Sequence, residues 1–349
     1  MNVATGTLER WYTWREIHAQ PAIWSDWLTS LDVTGLRKWV ADQGAGEVWF
    51  CGAGTSAYVG DILAAALGRD FRSVATTDLV SRPHHYLTGA PTLIVNFGRS
   101  GNSTETLGTL DSLDVLAPDW PRLNITCNAD GALATRGPGQ AVVLPDACND
   151  RGFAMTSSFS TMLLTAQAVF APNFDAGSVA RLAAEASAFL SSGYCPARPA
   201  RAVYVGSGSL AFAARESALK VMELSAGQVP ALWDSTLGFR HGPKSFVTEE
   251  TAIHVLISAE PHAAKYDHDL IAELRCQFPK ALVTGIGPGG DIAVNWDAGA
   301  GAAVLAVLPA QLQGVLWATA LGLNVDNPFE GQGTLTRVVD GVRLHEVTR

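Results

Sequence analysis

Phe97-Gly98-Arg99-Ser100-Gly101-Asn102-Ser103-Thr104-Glu105-Thr106 sets a glycine- and hydroxyl-rich turn between an apolar run, Thr92 to Phe97, and a helical pattern from about Thr104 to Leu116. Strand, turn and helix in that order make an anion cradle. Gly98 and Gly101 let the backbone turn tightly and approach a ligand closely. The opening turn of the helix offers unpaired N–H groups and the positive end of its dipole. Ser100, Ser103 and Thr104 add hydroxyl donors, and a phosphate oxygen accepts from all of these. The same residues also suit plain helix capping by Ser103 or Thr104. The rest of the chain weighs on that choice.

Glu47-Val48-Trp49-Phe50-Cys51-Gly52-Ala53-Gly54-Thr55-Ser56 is the second strong feature, a strand ending in glycines and hydroxyls before a helix from about Ala57 to Leu67. A short strand near Val74 to Thr76 and Asp78 come next. Gly52-x-Gly54-x-x-Ala57 with an acid at Asp78 partly matches a dinucleotide fingerprint, so a nicotinamide enzyme is an alternative reading. Leu123 to Cys127 and Ala141 to Leu144 are further apolar runs. Strands alternating with helices at this spacing define an α/β fold, a parallel sheet with helices on both faces. Ligands then bind beyond the carboxyl ends of the strands, where both glycine loops lie.

A helix near Ala180 to Leu190 ends at Ser191-Ser192-Gly193, and Pro196 and Pro199 follow, which places a domain boundary. Arg201-Ala202-Val203-Tyr204-Val205-Gly206-Ser207-Gly208-Ser209 then repeats the design of the Gly52 stretch at an offset of 154 residues. Ala252 to Ser258 corresponds to the Thr92 strand, but no glycine-serine cradle follows it. The chain therefore reads as two copies of one unit: a helical arm over 1–45, a phosphate-binding copy over 46–192 and a second copy over 193–349. In the arm, Trp11, Trp14, Ile17 and His18 share a helical face, and Pro21 restarts the chain toward Trp24, Trp27, Leu28 and Leu31. That aromatic stripe serves packing or a subunit interface. Near the other end Ala281 to Ile286 and Ala302 to Leu308 read as strands and Pro309 to Leu323 as a helix, with a polar tail from Asp326 folding over a neighbouring site.

Composition excludes several classes of function. Of 349 residues 48% are apolar and 16% charged, which fits a packed enzyme rather than a disordered chain. A net charge of −9 argues against nucleic acid and anionic membranes as partners. No apolar run approaches the roughly 20 residues of a membrane span, and Glu9-Arg10-Trp11 interrupts any signal-peptide core. The five cysteines are scattered without CxxC spacing, as expected of reduced thiols in a cytoplasmic protein. Adjacent His84 and His85 make no metal site, and none is expected elsewhere.

Three stretches carry candidate chemistry. Asn149-Asp150-Arg151-Gly152-Phe153-Ala154-Met155-Thr156-Ser157-Ser158-Phe159 opens a long helix with three hydroxyls where one would cap it, so Thr156 and Ser157 either face a ligand or simply start the helix. Ala213 to Leu224 is the first helix of the second copy, with Lys220 and Glu223 three apart on one face. They form a surface ion pair, or Glu223 is buried and so tuned toward a general base. Leu237-Gly238-Phe239-Arg240-His241-Gly242-Pro243-Lys244-Ser245 presents His241 on a rigid turn between two cations, where it is either inert or an acid or base near neutral pH.

Taken together these motifs resemble the sugar isomerase (SIS) family. Cys51-Gly-Ala-Gly-Thr-Ser56, Arg99-Ser-Gly-Asn-Ser103, Ala218-Leu-Lys-Val-Met-Glu223 and Arg240-His-Gly-Pro243 occur in family order. Asp150 to Phe159 and Leu237 to Ser245 resemble the AgaS group of tagatose-6-phosphate ketose/aldose isomerases and galactosamine-6-phosphate deaminase/isomerases. The resemblance implies two tandem, flavodoxin-like SIS subdomains behind the helical arm. It implies that Arg99, Ser100, Asn102 and Ser103, with Thr55 and Ser56, hold the sugar phosphate, and that Thr156 and Ser157 line the sugar. It implies Glu223 as the base moving a proton between C1 and C2, with Lys220 beside it, and His241 as the ring-opening group supplied by a partner subunit. Arg337 stands about where the family's synthases carry an imine-forming lysine. Arginine stays protonated and cannot form that imine, which together with the lack of a glutaminase domain before residue 47 points to a substrate bearing its own amine.

The expected function is conversion of galactosamine 6-phosphate, or a related hexosamine 6-phosphate, to tagatose 6-phosphate and ammonia, without cofactor or metal, by a homo-oligomer. Plain tagatose-6-phosphate ketose/aldose isomerisation is the nearest alternative, and a non-catalytic sugar-phosphate-binding regulator is the alternative of another class.

Overall fold

A computed structural model describes residues 8–333 and 335–348. Its first sheet has strands β1 (Val48–Gly52), β2 (Phe71–Ala75), β3 (Leu93–Gly98), β4 (Arg122–Thr126) and β5 (Gln140–Val143), all parallel, in the order β2-β1-β3-β4-β5. The second has β6 (Arg201–Gly206), β7 (Ala231–Ser235), β8 (Thr251–Leu256) and β9 (Leu282–Ile286), also parallel, in the order β7-β6-β8-β9. The second order is the first without its last strand, and the first is the flavodoxin-like arrangement. β1, β4 and β8 are buried at every residue, as parallel strands covered on both faces must be. The α/β fold and its duplication are thus as expected from the repeat.

The long helices are α1 (Tyr12–Ser30), α2 (Val33–Asp42), α3 (Thr55–Leu67), α4 (Thr104–Leu116), α5 (Ser157–Phe170), α6 (Ala176–Leu190), α7 (Ser209–Leu224), α8 (Pro261–Gln277) and α9 (Ala302–Ala320). The duplication extends to backbone detail. Gly54 and Gly208 have φ of 56° and 59°, and a Cβ at Gly52 or Gly206 would come within 2.5 or 2.7 Å of backbone atoms of Ser56 or Leu210. Only glycine permits both turns. The apparent dinucleotide fingerprint is therefore a feature of the doubled unit, since it occurs in both copies. α3 and α7 pack on each other, and Arg215 of α7 pairs at 2.9 Å with Asp61, its positional equivalent in α3. One continuous core runs from Leu8 to Val325 and joins both copies.

Two expectations are corrected. Ala302 to Leu308 is not a strand: it is the first part of α9, a 19-residue helix with Pro309 inside it. α9 is buried from Ala302 to Ala318, so it is apolar all round and shows no helical periodicity. Although long and apolar enough to cross a membrane, it is 94% buried within the fold. Pro21 does not restart the chain either; α1 runs through it. Proline cannot donate to the carbonyl of Ile17, but the Gln20 amide does so at 3.1 Å. The aromatic stripe packs within its own chain: Trp24 is fully buried and donates to Ser160 at 2.9 Å, and Trp27 donates to Thr165 at 2.8 Å. All five cysteines are free thiols.

Candidate active site

The carboxyl edge of the first sheet and the last turn of α7 enclose a cavity of about 440 Å³. Thr55, Ser56, Arg99, Ser100 and Ser103 from the first copy, Glu223 from the second and Arg337 from the tail all line it. The cradle folds as capping chemistry dictates. Gly101 takes φ of 67°, Ser103 is the N-cap of α4, and its hydroxyl lies 2.7 Å from that of Thr106. Ser100 Oγ accepts from Asn102 N–H at 3.2 Å. Asn102 is not on the cavity wall; its Oδ1 accepts from Ala132 N–H at 2.8 Å and holds the turn in place.

Beneath Glu223 lies a charged trio that follows from helical spacing. Glu216, Lys220 and Glu223 fall on one face of α7. Lys220 is fully buried, with Nζ 2.6 Å from Glu223 Oε2, 3.3 Å from Glu216 Oε1 and 3.0 Å from Thr55 Oγ1. Burial alone would lower the Lys220 pKa, but the two carboxylates outweigh it and hold the value above the ordinary one. Glu216 is pushed up to about 7, chiefly by burial, with Lys220 opposing and Glu223 adding. The full burial expected of Glu223 thus falls two turns earlier. Glu223 itself keeps 26% of its side chain exposed, toward the cavity. The pair with Lys220 is no surface salt bridge.

Two guanidiniums face the cradle. Arg99 donates to the carbonyls of Phe153 at 3.3 Å, Gly152 at 3.5 Å and Arg337 at 3.1 Å. Arg337 donates to the Asp150 carbonyl. The Arg99 pKa is lowered by burial first and by Arg337 second, the mark of two cations held close. The tail lies over the cavity as expected: Leu335 to Val339 border it, and the Val339 carbonyl accepts from Thr104 N–H at 3.4 Å.

The structure does not bring Thr156 and Ser157 to this cavity. Both are fully buried, and the Asp150 carboxylate accepts from Thr156 N–H and Oγ1 and from Ser157 N–H, each at 2.9 Å. The surplus hydroxyls satisfy a buried carboxylate and the arm: Ser157 Oγ donates to Glu16 O at 2.9 Å. His241 is exposed and absent from the cavity wall. Its loop is fixed by Arg240, 2.7 Å from Glu273, and by Lys244 on the same carboxylate.

Sequence reasoning missed Glu216 and Asp150. The Glu-x-x-x-Lys-x-x-Glu spacing of α7 is a usable signal for the first. Asp150 lies six residues before Thr156, outside any capping window, and leaves none.

A two-copy α/β fold that brings a hydroxyl-lined turn of one copy and a helix carboxylate of the other to one cavity is the architecture of the SIS phosphosugar isomerases. No family model matches the chain. It is 38% identical to the D-galactosamine-6-phosphate deaminase AgaS of Escherichia coli, covering 98% of this chain and 96% of that one. The crystal structure of tagatose-6-phosphate ketose/aldose isomerase from Escherichia coli superposes with a TM-score of 0.86 at 36% identity, covering 99% of this chain and 98% of the other. Glucosamine-6-phosphate deaminase from Thermotoga maritima shares the fold, with a TM-score of 0.75 at 22% identity over 95% of this chain and all of the other. The chain belongs to the AgaS group of the SIS family and is a phosphosugar isomerase/deaminase.

Proposed function

We propose that this enzyme converts galactosamine 6-phosphate, or a close hexosamine 6-phosphate, to tagatose 6-phosphate and ammonia. One observation carries the reading: Glu223 of the second copy shares a single cavity with the Ser100–Ser103 cradle and the Arg99–Arg337 pair. Two cations with hydroxyls and a helix N-terminus suit a phosphate dianion. The sugar carbons then extend from the cradle toward Glu223. In the open-chain aldose, Glu223 takes the proton from C2 and returns one to C1, while O1 gains a proton and the amine nitrogen loses one, so the C1 aldehyde becomes a hydroxymethyl group and C2 becomes a ketimine. Water adds to the ketimine and ammonia leaves. Lys220, held charged between Glu216 and Glu223, fixes the Glu223 carboxylate in place through its 2.6 Å contact. Ring opening falls to His241 from a partner subunit, because this chain's own His241 lies away from its cavity. Arg337 contacts phosphate and forms no imine.

Plain ketose/aldose isomerisation, the activity in the name of the Escherichia coli structure, would need the same C1–C2 proton transfer on a sugar phosphate that carries no amine. Ammonia and ketose assays on the 6-phosphates of galactosamine, glucosamine and their N-acetyl forms test the reading. Equal release of ammonia and ketose from galactosamine 6-phosphate is expected; ketose exchange without ammonia from any of the four contradicts deamination.

A further inference from the structure

The loop 150–153 has two chemically different sides. Its N–H groups face carboxylate and carbonyl acceptors away from the cavity: Arg151 N–H lies 2.5 Å from Glu16 Oε1, Gly152 N–H 3.4 Å from both Glu16 oxygens, and Phe153 N–H 3.0 Å from Asp326 O. Its carbonyls face the cavity side, where Asp150 O accepts from Arg337 and Gly152 O and Phe153 O accept from Arg99. Each peptide unit carries a dipole of about 3.5 D, and the Arg151 N–H shares its unit with the Asp150 carbonyl, so the Glu16 charge on that N–H strengthens Asp150 O as the acceptor for Arg337, whose own carbonyl accepts from Arg99. The arm is seated without slack: a Cβ at Gly152 would lie 2.2 Å from Thr13 Oγ1 and 3.1 Å from Glu16 Oε2. Asp326 fixes the start of the same helix, accepting from Tyr12 N–H at 2.8 Å and Thr13 N–H at 2.9 Å.

We propose that Glu16, on the N-terminal arm, is a positioning residue for Arg337 and, through the Arg337 carbonyl, for the Arg99–Arg337 pair, acting through the 150–151 peptide to set affinity for the phosphate of the substrate. This rests on reading that pair as the phosphate contacts. Glu16 is not among the residues that line the cavity; it acts through the loop. The arm is thereby part of the binding apparatus rather than packing alone.

The arrangement also makes affinity depend on pH. Glu16 is pushed up to about 7 by burial first and by Asp150 second, with Asp326 adding and the Arg151 and Gly152 N–H groups opposing. The charged groups that act on it are Asp150 on the loop and Asp326 on the C-terminal segment, with Arg337 on the far side of the 150–151 peptide. Because the folded value lies above the ordinary 4.5, this group's contribution to stability is complete below pH 4.5 and lost as pH rises through about 7. The charge that orders the loop is therefore held at a cost in stability.

Steady-state kinetics of Glu16→Gln and Glu16→Ala on whichever phosphosugar the wild type turns over, from pH 6 to 8.5, test this. At pH 8 we expect KM to rise about tenfold with kcat within about twofold, as for loss of one charge-assisted hydrogen bond. The ratio of variant to wild-type KM should fall toward one by pH 6, and the melting temperature of Glu16→Gln at pH 8 should not drop. A lowered melting temperature with unchanged KM at every pH overturns the proposal and leaves the arm structural. Arg99→Gln run in parallel separates two failures. A wild-type KM in Arg99→Gln contradicts the phosphate reading itself. A raised KM there beside a wild-type KM in Glu16→Gln contradicts only the role of Glu16.

Discussion

Lys220 is the residue that ties the charged face of α7 together. It is an ammonium with no exposed surface, bonded to two carboxylates and a hydroxyl that arrive from both copies. Removing a buried charge while leaving its partners is far more damaging than never having had the pair. Lys220→Met should therefore cost roughly 3–5 kcal/mol, measured by denaturant unfolding. A loss below about 1 kcal/mol would mean the trio is not the buried unit described. At this scale the sequence was partly legible. Lys220 and Glu223 stand out by spacing, and Glu216, four residues before Lys220, carries the same kind of signal, but its full burial follows only from the packing of α7. Thr156 and Ser157 misled for the complementary reason: hydroxyls facing a buried carboxylate look the same in sequence as hydroxyls facing a ligand.

The elements were legible where pattern and punctuation agree. β3 and α4 bracket the cradle almost as the sequence indicates, because Gly98, Gly101 and Ser103 have one conformational use there. α9 was not, because a helix buried on every side has no polar face to reveal its period. Nor was the continuity of α1, which depends on one side-chain amide covering the carbonyl that Pro21 leaves free. The strand-to-helix turns are the elements under tightest steric control. Gly206→Ala would press a Cβ to 2.7 Å from the Leu210 carbonyl oxygen, at a site away from the catalytic cavity. We expect it to cost about 1–3 kcal/mol, by thermal or chemical unfolding, with KM little changed. An alanine there without loss of stability would show that the turn has room the geometry denies it.

At the scale of the whole molecule, the strand ends of one copy border an open cavity and those of the other are filled by a side chain. Where β6, β7 and β8 end, the Asp267 carboxylate accepts from Ser207 Oγ at 2.7 Å, Thr236 Oγ1 at 2.6 Å and Ser258 N–H at 2.9 Å. An internal anion thus occupies the donors that a bound anion would need, consistent with the sequence having no glycine-serine turn after that strand. The second copy instead supplies α7 to the first copy's crevice, and the shared core fixes the two together. The repeat offset made the duplication readable from sequence; the packing of α3 on α7 that carries Glu223 into the same cavity was not, since no local pattern encodes which helices meet.

Turnover of galactosamine 6-phosphate by Glu223→Gln is the direct measurement of whether the halves act on one sugar. Ammonia release should fall about 10²–10⁴-fold while KM stays within about threefold, because the cradle and its arginines are untouched. Release at the wild-type rate would contradict the assignment of the α7 carboxylate as the group that moves the proton.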